Sequence, residues 1–63
     1  MTTAYAQGHA AGFREASERD HLGDATSGDD AATWFTAPVG QPDVDDYERG
    51  FVAGFAEYFA GRD

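Results

Sequence analysis

Two stretches at opposite ends of the chain decide how it folds: Tyr5-Ala6-Gln7-Gly8-His9-Ala10-Ala11-Gly12-Phe13-Arg14-Glu15 and Tyr47-Glu48-Arg49-Gly50-Phe51-Val52-Ala53-Gly54-Phe55-Ala56-Glu57. A shift of 42 superposes them, and six positions then agree as Tyr-x-x-Gly-x-x-Ala-Gly-Phe-x-Glu. Self-similarity in fixed register marks a repeated supersecondary unit. Both copies have helical spacing. Thr2 or Thr3 can cap the first, giving a helix over about 3–20 with Gly23 as its stop. Asp43 or Asp45 can cap the second, giving a helix over about 44–60 that ends before Gly61. Asp45-x-x-Glu48 fits a capping box, and the acids at 43, 45 and 46 suit the positive end of the helix dipole. Glu15 with Arg19 and Asp45 with Arg49 have the favourable order for ion pairs one helical turn apart, whereas Arg14 with Glu18 has the weaker one.

The interior glycines need a reason. Each costs about 1 kcal/mol of helix propensity relative to Ala, and Gly8, Gly12, Gly50 and Gly54 are four of them. On a helical projection, Gly50 and Gly54 form a smooth strip beside the aromatic ridge of Tyr47, Phe51, Phe55 and Tyr58. The first copy sets Gly8 and Gly12 beside Tyr5, His9 and Phe13. Each ridge is expected to lie in the other helix's groove across a pseudo-twofold axis. Gly8, Gly12, Phe13, Gly50, Gly54 and Phe55 are therefore the predicted helix-packing residues. The predicted fold is all-α: an antiparallel helical hairpin of two repeat-related helices forming a single small domain over 1–63.

Between the copies, residues 23–42 are rich in Gly, Ser, Thr, Asp and Pro around the apolar pair Trp34-Phe35. Ser27 followed by Asp30 can start a short helical turn, and Ala37-Pro38 can end it. Trp34 is expected as a lid on the core, with an anchor for a partner as its other reading.

Composition limits the core. The apolar share is 41%, but Ala contributes 12 residues; beyond Met1 there remain nine aromatic side chains, three Val and one Leu. Cys is absent, so neither disulfides nor thiolate metal sites can supplement such a core. Val52 and Phe59 widen the apolar stripe of the second helix beyond what the first can cover, and a homodimer with four helices is expected.

The net charge is −8, all four cations are Arg, and a field of that sign repels phosphate backbones and anionic lipid. Direct nucleic-acid binding and membrane binding are disfavoured, and a basic protein partner is favoured. Neither a basic segment leading an apolar run at the N-terminus nor a span-length apolar stretch is present, so a cytoplasmic location is expected. His9 occupies the position matched by Phe51 and reads as a core or interface histidine. His21, with Glu18, Asp20 and Asp24 nearby, lacks a paired ligand motif. The acidic segment from Asp24 fails as a calcium loop, with Asp29 where Gly is required and Phe35 where a bidentate Glu is required. No nucleophile has a base in a recognisable motif. No enzyme activity, cofactor or metal is expected.

The Tyr-x-x-Gly-x-x-x-Gly-Phe pattern resembles segments of short accessory proteins of high-GC actinobacteria and their phages, and the Lys-free, Asp-rich composition is similar to that of halophilic archaeal proteins. Neither resemblance transfers a functional residue. The expected function is a non-enzymatic interaction module, of the kind a phage or mobile element uses to modulate or inhibit a host protein. Trp34, Phe35, Val52 and Phe59 are its candidate contacts, and Asp29 and Asp30, with Asp43, Asp45 and Asp46, steer the partner. The alternatives are a nucleic-acid mimic filling a basic groove and a small-ligand binder using a dimer cavity lined by Tyr5, His9, Tyr47 and Tyr58.

Overall fold

In the computed structural model, which describes residues 3–62, helix α1 spans Ala4–Leu22, a 3-10 turn over Gly28–Asp30 leads into the short helix α2 over Ala31–Trp34, and α3 spans Val44–Ala60. Local signals set most of these limits. The Thr3 side chain accepts a hydrogen bond from the Ala6 N–H at 3.1 Å. Gly23 ends α1 in the left-handed region at φ 79°, and the Gly23 and Asp24 N–H groups close on the Asp20 and Arg19 carbonyls. Ser27 and Asp30 form the expected capping box: Ser27 Oγ accepts from the Asp29 N–H, and the Asp30 carboxylate accepts from Ser27 N–H and, at 2.9 Å, from Thr26 N–H. The box expected at Asp45 and Glu48 does not form. Asp43 is the N-cap of α3 but its side chain makes no capping bond, and Asp45 and Asp46 lie in the first helical turn.

Helices α1 and α3 pack side by side along their length, and their direction corrects the sequence reading. Tyr5 lies against Gly50, His9 against Gly54, Phe13 against Tyr58, and Asp20 against Tyr58 and Arg62. Residue numbers rise together on both helices, so the pair is parallel rather than antiparallel. The connection explains it. A helix of 19 residues is about 28 Å long, and the 20 residues of 24–43 are long enough to return the chain to the end where α1 began. A short loop would have forced antiparallel neighbours; this crossover does not.

The glycines make the seam, through backbone rather than rings. A Cβ on Gly8 would overlap the Tyr47 carbonyl, one on Gly12 the Phe51 carbonyl, one on Gly50 the Tyr5 carbonyl and one on Gly54 the His9 carbonyl. These contacts are reciprocal under the 42-residue shift. Each glycine Cα–H faces a carbonyl of the opposite helix, an approach that weak Cα–H···O attraction and dispersion favour. Correspondingly, the aromatic ridge of α3 does not fill the glycine groove of α1 as the sequence suggested. The rings of Tyr47, Phe51 and Phe55 turn to the side where Phe35 lies, while Tyr58 also packs edge-on against Phe13 of α1.

On that side lies the core. Ala16, Ala25, Ala31, Phe51 and Phe55 are buried, with Ala11, Trp34, Phe35, Tyr58 and Phe59 packed against them. Phe35 meets Phe51 edge-on at 5.2 Å between ring centroids, and Phe55 lies 5.5 Å from Phe59. Gly28 permits the crossover to close over α3, since a Cβ there would come within 2.9 Å of the Ala56 Cα. The apolar stripe of α3 is thus largely covered by the chain's own crossover, with Val52 left exposed. Among the described residues no helix is long and apolar enough to cross a membrane.

Candidate partner interface

The aromatic residues expected to contact a partner separate into two groups. Trp34 and Phe35 are half-buried lids. The Arg19 guanidinium lies 4.3 Å over the Trp34 ring, and its Nε donates to Glu15 at 2.6 Å while a second nitrogen reaches Asp24 at 3.4 Å. The hydrogen bond to Glu15 holds Arg19 more firmly protonated than a free guanidinium. Burial opposes this and Asp24 reinforces it. Phe59 is likewise half-buried, stacked between Phe55 and Tyr58. Asp30 is committed to the capping box, whereas Asp29 is exposed.

Val52 behaves differently. It remains 41% exposed, in a shallow hollow formed with Asp45, Glu48, Arg49 and Ala53. This hollow continues into a second one around Pro42, Asp43, Val44, Asp45 and Asp46. Val44 is exposed as well. The start of α3 therefore presents two valines, about two turns apart along the helix, among four carboxylates. Arg49 is the cation among them, and it reaches Asp46 at 3.5 Å. Among the described residues the carboxylates of Asp43, Asp45 and Glu48 have no hydrogen-bond or ion-pair partner. The expected Asp45–Arg49 pair is replaced by Asp46–Arg49, three residues apart instead of four.

Val44 was missed in the sequence because it sits at the cap, where helical periodicity has not begun. A second set of residues was named in the sequence in other roles, Tyr5 and His9 as cavity lining and Phe13 as a helix-packing residue. Tyr5, His9 and Phe13 line the side of the seam away from the crossover, where Tyr5 is 47% and Phe13 42% exposed. His9 Nε2 lies 2.7 Å from the Glu57 carboxylate, Phe13 packs edge-on against Tyr58 at 5.4 Å, and Tyr58 donates its hydroxyl hydrogen to Asp20 at 2.8 Å. The 42-residue alignment held a signal for this: the position filled by Phe51 on the covered side is filled by His9 here. Of the four residues suggested for a ligand cavity, Tyr5, His9 and Tyr58 share this side, but the Tyr47 ring lies 6.2 Å from Phe35 on the other.

Among the described residues no three His, Asp or Glu side chains gather in a way that could hold a metal ion. Near His21, Asp20 turns to Tyr58 and Arg62, and Asp24 to Arg19. No family model, curated protein or solved structure matches this chain.

Proposed function

We propose that this chain is a small, non-enzymatic interaction module that docks on a basic protein surface through the start and outer flank of α3. Val44 and Val52 are the apolar anchors, and Asp43, Asp45 and Glu48 steer and orient the partner. One observation carries this reading: exposed apolar side chains stand among carboxylates that have no partner within the described chain. Such carboxylates keep their charge available for an incoming Lys or Arg, and the valines gain when water leaves them. Trp34, Phe35 and Phe59 act indirectly, by holding the crossover on α3. A role as an accessory that modulates or inhibits a larger protein fits this arrangement. In the same reading the two long helices are copies of one ancestral unit and the chain works as a homodimer; the reciprocal glycine contacts favour the first of these.

The test is affinity capture from the native host with the wild-type chain and with Val52→Asp and Asp45→Lys/Glu48→Lys. A partner retained by the wild type, lost with both variants and released as salt rises supports the proposal. Capture that both variants leave intact refutes it. Capture displaced by duplex DNA would assign the carboxylates to mimicry of phosphates instead.

A further inference from the structure

The side of the helix pair away from the crossover differs from the rest of the molecule in charge. Its carboxylates are all met on the face itself. Glu57 lies 2.7 Å from His9, and Asp20 is held by the Tyr58 hydroxyl and by Arg62 at 2.8 and 2.7 Å. In a chain of net charge −8, this face carries few charges, and both of these carboxylates are hydrogen-bonded. It is also apolar between those pairs. Ala10 and Ala6 are exposed about one and two turns before Phe13, on the same side of α1.

We infer that this face is where a second copy of the chain packs, so that two helix pairs join through Phe13, Ala6 and Ala10 of each. The inference rests on the homodimer reading above and names its surface. Two observations favour a second copy over other occupants. A basic partner finds no free carboxylate here, whereas a copy of this chain, repelled by the acidic flank of α3, meets little charge. Phe13 stands beside the smooth Ala6–Ala10 strip, so one copy's ring can lie across the other's alanines and the reverse, as a twofold interface requires. The molecule measures 33 × 19 × 15 Å along its principal axes, so its broadest side projects about 600 Å², room for an interface smaller than the ~800 Å² per partner of standard-size complexes. The opposite side shows what such a seam takes when covered: there Phe51 and Phe55 lie under Phe35 and its neighbours.

Light scattering and sedimentation equilibrium of the purified chain test this. The expected mass is twice 6.7 kDa, and association should tighten as salt rises from about 50 to about 500 mM, because screening relieves repulsion between two acidic bodies. Docking of a basic partner should weaken over the same range. Phe13→Glu and Ala10→Arg should each weaken the dimer about tenfold or more, and Val52→Asp should leave it unchanged. Ala10 makes no side-chain contact that the fold depends on, so Ala10→Arg decides the matter even where Phe13→Glu perturbs folding, which circular dichroism would reveal. A chain that stays monomeric up to about 1 mM, well above the micromolar range of useful association, overturns both the dimer and this face. A dimer indifferent to Phe13→Glu and Ala10→Arg overturns the face alone.

Discussion

Phe55 and Phe13 match under the 42-residue shift of the sequence, yet one is completely buried and the other is 42% exposed. Phe51 and His9 differ in the same sense, and here the residue type has changed as well. The two sides of the seam are built on similar helical patterns. What separates them is the crossover, which brings Trp34 and Phe35 to one side only. Burial in this molecule is therefore set less by which helix a residue belongs to than by which side the connecting segment takes.

The strongest way to break this contrast is to remove the seam both sides share. Gly12→Ala or Gly54→Ala places a methyl group on a backbone carbonyl that cannot move without separating the helices, and each should cost more than about 3 kcal/mol. For a chain of this size that approaches the whole stability, at ~0.05–0.15 kcal/mol per residue, so thermal scans by circular dichroism should show little cooperative unfolding. Next comes the contrast itself. Phe55→Ala should cost ~3–5 kcal/mol, as for a fully buried ring, whereas Phe13→Ala should cost about 1 kcal/mol or less in the monomer because half its surface already faces water. Equal losses in denaturant titrations would refute the assignment of covered and open sides. Trp34→Ala should cost ~1–3 kcal/mol, through its partial burial and its contact with Arg19, and should raise proteolysis within the crossover. Ser27→Ala, which removes the cap of the crossover's helical turn, should cost ~1 kcal/mol. The smallest effect belongs to His9→Gln, since a partly exposed side-chain hydrogen bond contributes about 1 kcal/mol or less; a loss above about 2 kcal/mol would mean that the open side is more tightly closed than its exposure indicates.

What could be read from the sequence was local. Thr3, Gly23 and the Ser27–Asp30 box mark element ends because capping depends on a few neighbouring residues, and the interior glycines announced a close backbone approach because nothing else offsets their cost. The helix direction was less accessible. It depends on where the crossover delivers the chain, and a glycine strip beside an aromatic ridge is compatible with either order; only the length of residues 24–43 argued for the parallel one. The same ignorance of the crossover's path left Trp34 undecided between lid and anchor and gave Phe59 too much exposure. At the candidate interface, Val52 and the acids around it were visible from composition and spacing. Val44 was not, because one apolar residue at a cap has no periodic pattern to reveal it. The open side could have been found by asking why the first helix carries His9 where the matching position of the other carries Phe51.

The parallel seam also governs how the molecule must assemble. Every contact across it joins residues roughly 40 or more positions apart, as with His9 and Glu57 or Phe13 and Tyr58, so the two long helices cannot zip together from a turn. Neither helix is well provided to persist alone, with two glycines inside each and little nucleus for isolated helicity. Loop closure by the crossover therefore has to precede most of the stabilising contacts, which makes folding slower than the helical content alone suggests. A single cut within the exposed stretch 36–40 would release that constraint. The two fragments would then meet only by collision, and a stability that had been a property of one chain would become a function of concentration.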